Sequence, residues 1–346
     1  MRSFLRIFGF SAGATLAIWA GVAFGLGWAG FVSCVILTIL EVTFSFDNAV
    51  VNAKLLGFMS PWWQKFFMTF GIFIAVFVVR FALPVLIVSI TSGHGFIDVL
   101  NLAVDKPEEY GHELEKAGPA IASFGGVFLL MIALGFFLDA VKDVHWFHWL
   151  EERLSRLGRY DNVAIFVLIV VTIVIAATVH GTPEERFVIL IAGASGIALN
   201  VGLGIFGAAV EGDDNAAPTR VRVLVGMAAF VMFIRLEVLD ASFSFDGVIG
   251  AFAISSNVFI IMAGLGAGAL WVRSLTVYLV RQGTLAKYRY LEHGAHWAIG
   301  ALGVVMLIKV YGIELPEWLT GSIGLVFIAM AVLSSIRHRK RTLVHA

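Results

Sequence analysis

The sequence predicts an all-α, polytopic membrane protein of about ten transmembrane helices with an inverted-topology internal repeat. Three observations carry that prediction: an apolar excess too large for one soluble core, apolar stretches of membrane-spanning length along the whole chain, and an acidic motif that occurs twice within them. Of 346 residues, 60% are hydrophobic and only 14% charged, and the mean hydropathy is +0.93. Lipid must then be the solvent for much of the surface. The 36 glycines fit, since Gly lets membrane helices approach closely. The formal net charge of zero gives no sign of a nucleic-acid partner, and the single Cys34 excludes an intrachain disulfide framework.

Stretches close to the ~20 residues that cross a bilayer fall at about 9–26, 29–52, 66–90, 119–141, 162–180, 187–210, 223–250, 257–280, 295–311 and 318–336. The first follows Arg2 and Arg6 as a signal peptide would, but no small-residue cleavage site precedes Gly25-Leu26-Gly27, so it reads as a retained helix. Turn residues separate the rest: Ser60-Pro61, Gly118-Pro119 at the start of the fourth helix, Thr182-Pro183, Ala217-Pro218 and Leu315-Pro316. With the N-terminus inside, the outer segments hold only Lys106, Lys116, Arg186 and Lys309. Arg80, Arg235 and Arg273 lie within helices, and every other Lys or Arg of the 24 falls inside. That asymmetry places both termini in the cytoplasm.

Two connections have a character of their own. Residues 142–161 mix Trp146, Phe147, Trp149, Leu150, Leu154 and Leu157 with Glu151, Arg153 and Arg156, the composition of an interfacial cytoplasmic helix. His145 and His148 in this segment read as packing groups. Residues 98–118, with Asp98, Asp105, Glu108, Glu109, Glu113 and Glu115, read as a solvated acidic loop, an outer funnel for cations being the sharper alternative.

The repeated motif is Glu41-Val-Thr-Phe-Ser-Phe-Asp47-Asn48 and Asp240-Ala-Ser-Phe-Ser-Phe-Asp246-Gly247, aligned without a gap. The copies lie on the second and seventh stretches, an odd offset that gives them opposite orientations. The chain therefore divides into repeat one at about 9–180 (motif 41–48) and repeat two at about 187–336 (motif 237–247), within a single transmembrane domain 1–346, with a shared site near the midplane. An intramembrane carboxylate opposes insertion by roughly 2.5 to 3.5 kcal/mol, and Glu41, Asp47, Glu237, Asp240 and Asp246 are five of them. Such groups persist if paired, protonated or holding a cation. Helical spacing sets Glu41, Ser45 and Asn48 on one face, and Glu237, Asp240 and Ser244 on the equivalent face. Asp47 and Asp246 point away from those faces unless the helices unwind. The structural alternative is neutralisation by Arg80, Arg235 and Arg273. An oxygen-rich set without a thiol suits hard divalent cations such as manganese, calcium or magnesium. The expected ligands are Glu41, Asp47, Asn48, Asp240 and Asp246, supported by Ser45, Glu237, Ser244, Arg80 and Arg273. Proton relay by the same carboxylates is compatible with this.

These residues resemble the TerC-like integral membrane proteins of the wider LysE-type exporter grouping. The resemblance rests on 40–48, on 235–247, on Arg273-Ser274-Leu275 and on Lys287-Tyr-Arg-Tyr-Leu-Glu-His293-Gly294. It implies a multi-pass protein of the bacterial inner membrane, linked to manganese export and tellurite resistance. Gly247 stands where the family usually has Ser, and ten spans exceed its usual count. No catalytic role is expected: Gly193-Ala-Ser195-Gly196 with His296 matches a rhomboid-type serine signature, but Gly193, Gly196, Gly202 and Gly204 read as close helix packing. The expected partners are a divalent metal ion as substrate, manganese first and calcium second, and the bilayer, with no permanently bound cofactor; a homo-oligomer is compatible. The competing reading is a non-transporting metal-sensing or accessory protein of a tellurite or metal stress-response complex.

Overall fold

The structure is a computed structural model; it describes residues 2–139, 142, 144–160, 162–211, 223–283, 288–313 and 315–344, with the side chains of 2–6, 47, 210, 211, 245, 246, 317, 318, 321 and 341–344 left aside. Among the described residues there are helices and no strands, apart from one isolated bridge between Met59 and Leu224. Seven helices are long and apolar enough to cross a membrane by length and composition, and Val163–Thr178 is a shorter apolar helix. Large apolar side chains such as Phe24 (93% exposed) and Phe166 (70%) face outward, as lipid-facing positions do. The chain is an all-α membrane protein.

The helices pack as two compact units, Met1–Gly118 with Val210–Gln282, and Pro119–Ala209 with Gly283–Ala346. Neither coincides with the sequence halves 9–180 and 187–336; each takes part of both.

In the first unit, α1 (Arg2–Phe44) is interrupted at Gly27, whose φ of 76° is open to glycine at little cost. Trp19 Nε1 donates to Thr38 Oγ1 at 3.2 Å, whereas a straight helix would part these residues by roughly 28 Å. The two arms fold back on each other, which is why the stretches 9–26 and 29–52 read as separate helices. Ser45 then separates α1 from α2 (Phe46–Leu56). Next come α3 (Pro61–Phe73), a π-helical segment Ile74–Ala82, and α4 (Leu83–Ser92). Pro84 has no N–H for the Arg80 carbonyl, so regular α-hydrogen bonding fails across this junction.

The acidic segment 98–118 is helical, contrary to the expected loop. It forms α5 (Phe96–Asp105) and the start of α6 (Pro107–Phe137), so the fourth apolar helix begins twelve residues before Pro119, which lies inside it. Pro107 opens the helix with Glu108 and Glu109 in its first turn. Its exposed face carries the pairs Lys106–Glu109 and Lys116–Glu113, while Tyr110, Leu114 and Ala117 are buried. Tyr110 packs on Phe252, whose ring also lies against Gly111. One apolar stripe on an otherwise charged helix is what the mean composition of this segment conceals.

The first unit closes with α10 (Gly226–Ala251) and α11 (Val258–Arg281). Ser11 Oγ and Ser274 Oγ are 2.7 Å apart, Trp271 Nε1 donates to Thr15 Oγ1 at 3.0 Å, and Thr38 Oγ1 donates to the Gly264 carbonyl at 3.1 Å. Both arms of α1 are thereby tied to α11.

The second unit holds the rest of α6, α7 (His148–Leu157), α8 (Val163–Thr178), α9 (Pro183–Glu211), α12 (Leu291–Lys309) and α13 (Glu317–Val344). A Cβ on Gly196 would lie 2.6 Å from the Phe124 carbonyl oxygen, and one on Gly193 2.8 Å from Ser123 Oγ, so these glycines admit α6. Among the described residues, Gly202 and Gly204 have nothing within 4 Å of an added Cβ.

Candidate functional site

The first copy of the motif begins at Glu41, near the end of α1, buried at 6% exposure. Arg80 Nη2 donates to its Oε1 from the π-helical segment, and Ser45 Oγ donates to the same oxygen at 3.1 Å. The predicted shared face of Glu41 and Ser45 is therefore real. Arg80 Nη1 donates to Ala75 O, five residues back, at 2.8 Å. Glycines make room for the acid: a Cβ on Gly268 of α11 would collide with the Glu41 side chain, and one on Gly264 would lie 3.0 Å from Cys34 O.

The second copy lies on α10. Arg273 of α11 clamps Glu237 with two bonds, Nη1 to Oε1 at 3.0 Å and Nη2 to Oε2 at 2.8 Å. Its Nη2 also donates to Asp240 Oδ2 at 3.3 Å, and its Nη1 to Phe67 O at 3.1 Å. The guanidinium stacks on the Phe67 ring, 4.1 Å from the centroid. A Cβ on Gly71 would collide with Arg273 Nη1 and lie 2.7 Å from Glu237 Oε1. Glycine at 71 lets the buried pair sit against the backbone of α3.

The copies meet. A Cβ on Gly247, in the second motif, would lie 3.4 Å from Oε2 of Glu41, in the first. They are also unequal: the helix breaks at Ser45 (φ −97°, ψ 15°) in the first copy, whereas α10 runs unbroken through the second. Asn48, Ser244 and Asn52 are buried, and Ser244 Oγ and Asn52 Oδ1 have no partner among the described residues. The side chains of Asp47 and Asp246 lie outside the described residues; Asp47 follows Phe46 at the start of α2, and Asp246 is near the end of α10. Among the described residues no group of three His, Cys, Asp or Glu side chains is placed to hold a metal ion. Arg80 and Arg273 do neutralise acids, as the structural alternative required, while Arg235 Nε has no partner among the described residues.

A second buried polar cluster lies in the other unit. Glu151 of α7 has 0% exposure. Its Oε2 accepts from His293 Nδ1 at 2.7 Å, Trp146 N at 3.1 Å and Lys142 Nζ at 3.4 Å; its Oε1 accepts from Trp297 Nε1 at 3.0 Å and Phe147 N at 3.4 Å. Burial pushes the Glu151 pKa up, but the bonds from His293 and Trp297 and the charge of His293 outweigh it and hold the carboxyl at about 2. Lys142 lies 4.1 Å from the Phe136 ring centroid. Its burial pulls the ammonium pKa down, and the neighbouring Glu151 pulls it partly back. His296 stacks on Phe136 with centroids 3.8 Å apart.

A profile described as "Protein of unknown function (DUF475)" matches residues 46–342. The chain belongs to the DUF475 family. No curated protein and no solved structure matches it. The DUF475 match takes in the second motif, both arginines and the Glu151 cluster, and begins five residues after Glu41.

Sequence reasoning missed the Glu151 cluster. Its signals were the acids Glu151 and Glu152 set between Leu150 and Leu154 in a segment rich in aromatic and basic residues, and a histidine at the head of an apolar helix. His145 and His148 stack at 5.8 Å between centroids, and His148 Nδ1 is 3.2 Å from Glu152. Ser195 Oγ donates to Ile191 O at 2.7 Å, and His296 Nδ1 bonds the Glu292 carbonyl at 2.8 Å. Both groups are thus engaged with their own helices.

Proposed function

We propose that this chain exports a divalent cation, manganese first and calcium second, across the bacterial inner membrane, using the acids of its two motifs as the shared site. The single observation that supports it most is the approach of Glu41 to Gly247, which joins the two acidic motifs inside one unit. The two motifs and the turn before the second carry five carboxylates in sequence, Glu41, Asp47, Glu237, Asp240 and Asp246, against the two paired arginines Arg80 and Arg273. The excess of negative charge in a low-dielectric setting is an attraction for a hard cation, and its oxygens are the ligands such a cation takes. In this reading ten spans with both termini cytoplasmic form an inverted repeat that rocks about the site. Asp47, Asp246, Asp240, Glu41 and Asn48 hold the ion, and Ser45, Ser244 and Glu237 support them. Arg80 and Arg273 pair with Glu41, Glu237 and Asp240 between transport events, and proton coupling through the same carboxylates is compatible with this reading.

The arginine pairing favours one other reading. Arg273 pairs with both Glu237 and Asp240, an arrangement that would also suit a static, metal-sensing accessory protein of a stress-response complex. Manganese flux into proteoliposomes separates the two. Wild type should transport, and Asp47→Asn and Asp246→Asn, which keep shape and remove charge, should each lose at least about tenfold. Unchanged flux in both variants rejects the site, and absence of flux in wild type favours the accessory role.

A further inference from the structure

We infer that the end of the second unit carrying α7 is a docking surface for the headgroups of acidic phospholipids. The inference is independent of the transport reading. The bonds from His293 and Trp297 of α12 to Glu151 pin one face of α7 against the protein. The opposite face shows Trp149 (67% exposed) and Leu157 (49%), followed by Tyr160 (71%). Arg153 lies along it with its guanidinium 4.2 Å from the Trp149 ring centroid, and Arg156 is exposed one turn further on. Aromatic rings that carry arginines on their faces suit the boundary where acyl chains meet phosphates.

Chain geometry sets the level of α7. It is followed after five residues by α8, which is apolar from Val163, and that link reaches no further than roughly 20 Å. The helix therefore lies beside the mouth of an apolar helix and cannot extend far into water.

The same end gathers further positive charge. Tyr290 N donates to Ser335 Oγ at 2.9 Å, and Arg289 Nη1 lies 3.2 Å from His338 Nε2. These bonds hold the start of α12 to the last part of α13. His293, one turn into α12, bonds Glu151, so α7 and the C-terminal part of α13 share one end of the unit. Exposed Arg159, Arg289, Arg337 and Arg339 thereby join Arg153 and Arg156. Among the described residues, the acids at this end are Glu151, which is buried, Glu152, paired with Arg156 at 2.6 Å, Asp139 and Glu292. Basic groups are in surplus, and a planar guanidinium binds phosphate in two-pronged fashion. Charge complementarity with an apolar-aromatic stripe selects a phospholipid surface over an acidic protein, which would leave Trp149 and Leu157 in water.

The test uses the full chain in nanodiscs of phosphatidylcholine, alone or mixed with phosphatidylglycerol. Amide hydrogen exchange across 146–160 should slow several-fold on adding phosphatidylglycerol. Quenching by brominated acyl chains should fall when Trp149→Phe removes the one tryptophan on the outer face. Arg153→Gln with Arg156→Gln should abolish the phosphatidylglycerol effect, and the Lys pair at the same positions should keep most of it. Equal thermal melting of the Gln pair and wild type shows that the fold is intact; if it melts early, the Lys pair and Trp149→Phe still decide. Equal exchange in both lipids overturns the proposal, as does a phosphatidylglycerol effect that survives the Gln pair. Glycerol phosphate reproducing the protection in phosphatidylcholine discs overturns the assignment to a bilayer lipid.

Discussion

A carboxylate removed from water must find its hydrogen bonds inside the protein, and Glu151 receives them from Lys142, Trp146, Phe147, His293 and Trp297. Its pKa is held at about 2 against an ordinary 4.5. A depressed acid pKa contributes stability that is complete above the unfolded value and is lost as pH falls through the folded one. The loss therefore belongs between pH 4.5 and about 2, and at about 1.4 kcal/mol per pH unit it is on the order of 3 kcal/mol. Glu151→Gln should melt well below wild type at pH 7, by an amount in that range, and the gap should close as pH falls from 4.5 toward 2 in thermal melts in detergent. A gap that stays unchanged down to pH 2 would reject this linkage. Arg273 faces the converse problem. Its two bonds to Glu237, one to Asp240, one to a carbonyl and a ring beneath it hold the buried cation at several points, whereas Arg80 makes two side-chain contacts; the Nε of each has no partner among the described residues. Of the two arginines, Arg80 is the easier to displace from its acid.

Helix by helix, small residues decide where the backbones close up. Gly264 and Gly268 lie four apart on α11, so they share a face, and the second arm of α1 presses its Cys34–Glu41 turns onto that face. Gly268→Val should therefore destabilise the first unit by about 1–3 kcal/mol, the usual cost of overpacking, and shift Glu41 from its arginine. Gly202→Val on α9, where an added Cβ meets nothing within 4 Å, should leave the melting temperature unchanged. A Gly268→Val protein that melts with wild type would mean that the close approach of α1 and α11 does not set the cost. The π-helical segment belongs to the same scale: it carries Arg80 to Glu41 at the place where Pro84 interrupts the hydrogen-bond ladder. Proline was visible in the sequence as punctuation, but the register shift it accompanies depends on what the preceding turn can bond to, and that is Arg80 itself.

For the whole molecule, the proposed arrangement of ten spans predicts which loops face which compartment. With Cys34 replaced by Ser, a cysteine at Asp105 should react with an impermeant maleimide from outside intact cells, and one at Arg339 only after the membrane is opened. Reversal at either position would remove one span or invert the chain. The sequence by itself determined the membrane class, the apolar stretches that fall on helices, and the shared face of Glu41 and Ser45, because hydropathy and the helical repeat are local properties of consecutive residues. It also showed two acidic motifs, but not which cation each acid would meet. Tertiary structure alone decided that Arg80 serves Glu41, that Arg273 serves Glu237 and Asp240, that α1 folds back at Gly27, and that Glu151 pairs with a histidine 142 residues away. The reason lies in the solvent. In lipid the outward and inward faces of a helix are both apolar, so no hydrophobic pattern marks the packing face. Partners are chosen instead by backbone approach at glycines and by the need of each buried charge for donors or acceptors, and both depend on residues far apart in the chain.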